Sequence, residues 1–206
     1  MSKNVILVVS GPSGSGKGTV IDRLPECYRK AVSVTTRAMR PGEVEGVDYF
    51  FITHARFREL RAAGGILEFN YYDGNYYGTP RSEITNTLAS GKNVILDVDV
   101  NGAMNIKRKY PQAILVFLMP PSAAVQEARL RGRGTNSDAS IAARMRQTRE
   151  ELSFIPEFNC VIINEDDCLE QTVAQLMAAA ESRFPDQTKI PDLIRNYFNE
   201  QPMQGE

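Results

Sequence analysis

The sequence predicts an α/β fold built on a parallel sheet, and three observations predict it. Val5-Ile6-Leu7-Val8-Val9, Val94-Ile95-Leu96, Ile114-Leu115-Val116-Phe117-Leu118 and Val161-Ile162-Ile163 are short apolar runs without polar alternation, the pattern of strands buried on both faces. Each is followed by polar residues or Gly/Pro and then a helical segment, and recurrent strand–helix alternation makes a parallel sheet. Two helices show as apolar stripes. One is Leu169, Val173, Leu176, Ala180 and Phe184, ended by Pro185; the other is Ile141, Met145, Thr148 and Leu152, after a cap region at Ser137/Asp138.

Two segments interrupt this rhythm. Residues from about 33 to 90 are rich in Gly, Tyr, Arg and Thr, with little helical period before Ala55, and residues from about 122 to 150 are rich in Arg. Both read as excursions from the sheet. After Pro185 the chain turns polar, with Pro191 and Pro202. A frayed tail is expected there, with one short helix around Leu193 to Phe198.

Composition excludes several classes. A length of 206 residues suits one compact domain with insertions. Hydrophobic residues at 42% and charged residues at 24% exclude disorder of the whole chain. The 24 Lys+Arg nearly cancel the 25 Asp+Glu, which argues against a protein that coats nucleic acid or an anionic membrane. The apolar runs fall well short of the ~20 residues a membrane helix needs. Five apolar residues after Met1-Ser2-Lys3-Asn4 are fewer than the about 7–15 of a signal peptide, so a cytoplasmic location is expected. Cys27, Cys160 and Cys168 have neither CxxC spacing nor an even count, and so suggest neither a disulfide framework nor a zinc site. The single histidine, His54, excludes a two-His metal motif and reads as a surface or cap residue before a helix.

Gly11-Pro12-Ser13-Gly14-Ser15-Gly16-Lys17-Gly18-Thr19 follows the first strand with the spacing of a phosphate-binding P-loop. Glycines let successive backbone N–H groups turn inward and form an anion nest. A helix beginning near Lys17 would aim its positive end at the same place, and Lys17 adds a mobile full charge. Gly18 stands where such loops usually carry Ser or Thr, and the hydroxyl comes one residue later at Thr19. A magnesium ion would then be held mostly by phosphates and water. Asp97, at the carboxyl end of the second run, is the acid expected to face that metal, through water.

The chain next reads Ser33-Val34-Thr35-Thr36-Arg37-Ala38-Met39-Arg40-Pro41-Gly42-Glu43, reaches Gly46-Val47-Asp48-Tyr49, and later Leu67-Glu68-Phe69 and Gly74-Asn75-Tyr76-Tyr77-Gly78-Thr79. With Ile95-Leu96-Asp97-Val98-Asp99-Val100-Asn101-Gly102 and Arg131-Gly132-Arg133-Gly134-Thr135, these motifs resemble the guanylate kinase family over about residues 3 to 184. The resemblance implies a P-loop NTPase-type core (1–32, 93–121 and 150–185), a small mixed α/β insertion that binds the nucleoside monophosphate (33–92), a helical lid (122–149) and a polar tail (186–206). It implies transfer of the γ-phosphate of ATP to GMP, with Mg²⁺, and no nucleic acid or membrane partner; dGMP tolerance and oligomeric state stay open. Gly11 through Thr19, Arg129, Arg133 and Asn164 would bind ATP, Asn164 at the adenine. Arg37 and Arg40 would hold the GMP phosphate with Tyr49 and Tyr77, and Glu43 and Arg144 would also bind GMP. Ser33, Glu68, Thr79 and Asp99 would read guanine. Lys17, Arg40, Arg133 and Arg144 would be catalytic, and Asp97 and Thr19 are the metal candidates.

The chemistry suits those residue types. Arginine's planar fork matches a phosphate dianion. Guanine shows N1–H and N2–H₂ side by side, which one ionised carboxylate accepts, while Ser33 and Thr79 hydroxyls suit O6. Adenine lacks this donor pair, and unpaired carboxylates give discrimination of order ~10⁴. Phosphoryl transfer spreads negative charge that arginines stabilise without moving protons, so it needs no histidine. Two rivals remain: a guanylate-kinase-like scaffold domain that binds proteins, and a related kinase for another acceptor.

Overall fold

The computed structural model describes residues 4–132, 134 and 137–199. In chain order the elements are β1 (Ile6–Ser10), α1 (Lys17–Ile21), β2 (Tyr28–Lys30), β3 (Ser33–Thr35), β4 (Tyr49–Phe51), α2 (His54–Ala62), β5 (Ile66–Tyr72), β6 (Asn75–Pro80), α3 (Arg81–Ala89), β7 (Asn93–Asp97) and α4 (Val100–Lys109). Then follow β8 (Ile114–Met119), α5 (Ala123–Gly132), α6 (Asp138–Leu152), β9 (Cys160–Ile163), α7 (Leu169–Ala180) and α8 (Ile190–Asn196). The fold is α/β, as the alternation predicts. A five-stranded sheet runs in the order β2-β7-β1-β8-β9. Every residue of β1 and β8 is buried, which is why those runs carry no polar alternation.

The chain forms two compact units. One comprises Met1–Leu7 with Pro25–Ala113, the other Val8–Leu24 with Ile114–Glu206.

The first unit contains the whole second sheet, ordered β4-β3-β6-β5. Its β5–β6 hairpin pairs Tyr72 with Asn75 across Asp73-Gly74, whose φ values are 48° and 76°. Positive φ at both turn residues matches the right-handed twist of the strands, and Asp-Gly accepts it readily. Val34, Phe57 and Ile66 form a core beneath this sheet, with Phe57 stacked on Tyr76 at 4.6 Å between ring centres. Thr53 caps α2 by accepting from the Arg56 amide at 3.1 Å; His54 is the first helical residue rather than the cap, and its ring meets Tyr76 edge-on at 5.7 Å.

In the second unit, α6 spans the stripe expected for it. Ser137 accepts from the Ser140 amide at 3.3 Å, and Ile141, Thr148 and Leu152 are buried. Three expectations are answered here, the last two by correction. First, the helix expected near Lys17 begins at Lys17, as α1, a single turn of five residues.

Second, α7 stops at Ala180, and Phe184 lies outside it, 42% exposed. The cause is a stop signal before Pro185. Ser182 is left-handed at φ 59°; its amide donates to the Ala179 carbonyl at 2.8 Å, and the Arg183 amide donates to Ala178 at 2.9 Å. These bonds close the helix in a Schellman motif. A left-handed L-residue costs about 1–2 kcal/mol. Ser182→Gly is therefore expected to stabilise the chain by about 0.5–1 kcal/mol in denaturant unfolding.

Third, the tail does not fray through residue 199. Gln187 accepts from the Val161 amide at 2.7 Å and donates to the Val161 carbonyl at 3.1 Å, so its side chain covers the edge strand β9 as a neighbouring strand would. The helix α8 begins earlier than expected, and Tyr197 beyond it is 1% exposed. Among the described residues no helix is long and apolar enough to cross a membrane.

Candidate active site

In the first unit, strand register assembles most of the residues singled out for the monophosphate. Ser33 of β3 lies opposite Tyr49 of β4, Thr35 opposite Tyr77 of β6, and Glu68 of β5 opposite Thr79 of β6. Tyr77 and Thr79 are two apart on one strand and share a face. The rings of Tyr49 and Tyr77 meet edge-on at 6.0 Å.

Glu68 is the central acid of this face, only 8% exposed. Thr79 Oγ1 donates to its Oε1 at 2.5 Å. Its Oε2 lies beside Gly102, where a Cβ would approach to 2.9 Å; only glycine leaves that carboxylate room. Burial raises the Glu68 pKa above the ordinary 4.5, opposed by the Thr79 hydrogen bond and reinforced by the Asp99 charge. Lys109 lowers it through its charge, and its ammonium donates to the Leu67 carbonyl. Asp99 caps α4, accepting from the Gly102 amide at 2.7 Å, and its other oxygen accepts from Asn70 at 2.7 Å. The Thr79 hydroxyl is thus committed to Glu68, and both Asp99 oxygens have partners. Asn70, Gly102 and Lys109 were not singled out from the sequence. The Gly102 signal was its place three residues after a capping Asp; Asn70 and Lys109 gave none, since their roles follow from β5 lying against α4.

A second group gathers around Arg37. Arg37 meets Glu43 in a bidentate pair at 2.7 and 2.8 Å, and Glu43 also accepts from the Arg40 amide at 2.7 Å. This pairing holds the Glu43 carboxyl at about 2 and lifts Arg37 above the usual guanidinium range, with Tyr77 a further hydrogen-bonding neighbour. The Arg37 guanidinium also lies 5.4 Å from the Tyr49 ring centre and 5.6 Å from that of Phe51, so its position is fixed on several sides. Glu43 therefore orients Arg37 here. The Arg40 side chain is exposed. Burial raises the Tyr49 pKa, which keeps its hydroxyl a proton donor. Asp97, three-quarters buried, is 3.8 Å from the Lys30 ammonium.

The second unit carries the loop. Gly11, Gly14 and Gly16 have φ of 139°, 89° and 86°, conformations that side chains avoid. A Cβ on Gly16 would stand 2.3 Å from Asn164 Nδ2, whereas Gly18 has ordinary φ and open space around it. Gly18→Ala is accordingly expected to raise stability by about 0.5–1 kcal/mol, and Gly16→Ala to lower it; thermal melting of the two variants checks the opposite signs. Thr19 is exposed. The Lys17 ammonium donates to the Gly11 and Pro12 carbonyls.

Asn164, expected at adenine, is 7% exposed and committed at both ends. It donates to the Ser15 carbonyl at 2.8 Å and accepts from Thr172 Oγ1 at 3.2 Å, which makes it a strut for the loop. Arg129 donates to the Asn164 carbonyl at 2.8 Å and pairs with Asp166 at 2.6 Å. Arg144 donates to Ser13 Oγ at 2.8 Å. Ser15 Oγ, Arg129 Nη1 and Arg144 Nε are buried without a hydrogen-bond partner among the described residues. Three unsatisfied donors around a glycine loop are a cost unless an anion arrives. Arg133, placed in the catalytic group by sequence, lies outside the described residues. No cluster of three or more His, Cys, Asp or Glu that could hold a metal occurs among the described residues.

The chain is similar to known proteins over most of its length. Residues 3–183 match the family model described as guanylate kinase. The guanylate kinase of Thermosynechococcus vestitus is 43% identical over 183 residues, 87% of this chain and 95% of that protein. That of Streptococcus pneumoniae strain R6 is 43% identical over 87% of this chain and 88% of that protein. The crystal structure of guanylate kinase from Anaplasma phagocytophilum is 29% identical, with TM-score 0.68 and 98% of each chain covered. The chain belongs to the guanylate kinase family.

Proposed function

We propose that this chain transfers the γ-phosphate of ATP to GMP, giving ADP and GDP, with each substrate recognised by the residues described above. The observation that carries the guanine assignment is Glu68: a buried carboxylate, held by Thr79 and given room by Gly102, with a raised pKa that two guanine donors would relieve. Asp99 flanks it and Ser33 lies along the same sheet. Arg37, oriented by Glu43, receives the GMP phosphate with Arg40, Tyr49 and Tyr77. The glycine loop with Lys17 takes the ATP phosphates, and Ser15, Arg129 and Arg144 offer the donors that lack partners.

In the reaction a GMP phosphate oxygen, already anionic, attacks the γ-phosphorus. The bond to the β,γ-bridging oxygen breaks and ADP leaves with that electron pair. No base has to remove a proton, so positioning and charge stabilisation suffice. Magnesium would enter with ATP, held by phosphate oxygens and water, and would neutralise charge on the transferring group; Asp97, through water, and Thr19 are the side chains proposed nearest to it. In this reading residues 33–92 are the acceptor-binding region, 122–149 the lid, and the setting is the cytoplasm.

An ADP-release assay with Mg-ATP and a panel of acceptors tests the proposal. Turnover with GMP is expected, with kcat/KM for AMP lower by about 10⁴-fold. Absence of turnover with GMP would favour the scaffold reading, and AMP or UMP outperforming GMP would move the acceptor assignment.

A further inference from the structure

The residues after Pro185 extend beyond the span matched by the family model, which ends at residue 183, yet Tyr197 is one of the most buried side chains of the molecule. Its backbone carbonyl accepts from the Ala123 amide at the start of α5 at 3.0 Å. Its hydroxyl donates to Gln126 Oε1 at 3.0 Å. Gln126 is fully buried, and its amide nitrogen donates to the Ser13 carbonyl in the phosphate loop and to Thr148 Oγ1 on α6, both at 2.8 Å. Thr148 in turn donates to the Arg144 carbonyl at 3.0 Å, and the Arg144 side chain returns to Ser13 Oγ. Beside this chain of bonds, the Arg149 guanidinium of α6 lies 3.8 Å over the Phe198 ring.

Gln126 is the junction. A buried amide must satisfy its oxygen and both nitrogen hydrogens. Its nitrogen serves the loop and α6, so its orientation depends on a donor for the oxygen, and Tyr197 supplies that donor. Burial raises the Tyr197 pKa, chiefly by desolvation, which keeps the phenol protonated. Gly14 adds a steric reason for the junction's position: a Cβ there would come within 3.2 Å of the Gln126 carbonyl and 3.3 Å of Leu130. The loop, α5 and the tail are thus packed at one point.

We propose that Tyr197 and Gln126 are positioning residues for the ATP site, the C-terminal segment locking the Ser13 carbonyl of the phosphate loop through the Gln126 side chain. The inference rests on the reading of the loop as the ATP site. Tyr197→Phe removes the hydroxyl and keeps the ring. It leaves the Gln126 oxygen free to rotate away, so loop order is lost before the fold is.

The test uses the full chain, with calorimetric titration of ATP, steady-state KM for ATP and GMP, and thermal melting. Tyr197→Phe and Gln126→Met are each expected to raise Kd and KM for ATP about fivefold, leaving KM for GMP within twofold. The double variant should be no worse than Gln126→Met alone, because both act through one path. Ile190→Val, a buried change in the same segment with no bond to Gln126, controls for general loosening of the tail and should leave both KM values in place. Unchanged ATP affinity in Tyr197→Phe, or ATP and GMP constants moving together, overturns the proposal. A wild-type chain that fails to bind ATP overturns the ATP-site reading as well, which separates the two failures.

Discussion

Glu68→Gln is expected to lower kcat/KM for GMP by about 10²–10³-fold while ATP binding remains. An ionised carboxylate accepts two guanine hydrogens at once. The amide that replaces it accepts one and turns its own hydrogens toward the other donor. Losing one charge-assisted bond and opposing a second donor costs about 3–4 kcal/mol in a buried site, and each 1.4 kcal/mol is about tenfold. The variant should still fold. The carboxyl's raised pKa means that holding Glu68 ionised opposes folding at neutral pH. The stabilising side of the balance is fully present below the ordinary value of 4.5 and is lost as pH rises through the raised folded-state value. At neutral pH, then, Glu68→Gln should melt no lower than wild type. Melting and acceptor kinetics on the same preparation separate loss of recognition from loss of fold, and an equal fall in ATP affinity would contradict the role assigned to Glu68.

The same carboxyl predicts a pH dependence with a definite sign. GMP needs Glu68 ionised, so KM for GMP should rise as pH falls through the raised Glu68 value, which lies above 4.5. Glu43 stays ionised throughout this window, because its partners hold it at about 2. The GMP phosphate titrates near pH ~6 and adds its own response. Subtracting the Glu68→Gln profile from that of wild type isolates the carboxyl. Superimposable profiles would exclude it as the titrating group.

Legibility in the sequence followed how local each signal was. Strands β1, β7, β8 and β9 were readable because each is one unbroken apolar run, and α6 because its stripe and its serine cap lie within one segment. The loop was readable because its glycines are required by neighbouring backbone: Gly11, Gly14 and Gly16 all need positive φ. The end of α7 was misread because a left-handed serine, rather than glycine, makes the stop, and periodicity extends the stripe to Phe184. Partners across elements were the least legible. Asn164 follows an apolar run, and nothing local shows that its amide is held between Ser15 and Thr172. Gln126 lies in a helix with little apolar asymmetry, and nothing local marks it as buried. Tyr197 sits in a polar tail whose composition suggests fraying, and its burial depends on a partner 71 residues away.

Gly11→Ala is expected to have the largest effect on stability. The loop leaves β1 at Gly11 with φ of 139°, and a Cβ there would stand 1.9 Å from the Leu118 carbonyl oxygen. That oxygen is backbone of β8, where Leu115 through Met119 are all fully buried, so neither partner has room to withdraw. Backbone strain of about 1–3 kcal/mol combines with overpacking of a further ~1–3 kcal/mol. Together these amount to about 2–6 kcal/mol, against a typical total stability of about 5–15 kcal/mol. The structure can relieve the overlap only by moving the loop away from the strand, which would also spoil the amide nest. Gly11→Ala should therefore lose both thermal stability and ATP affinity, measured by melting and by ATP titration below the melting range. Gly18→Ala, in the same loop but with open space at its Cβ, is the matched comparison. If the two variants melted alike, the close approach of Gly11 to β8 would not be what requires glycine at that position.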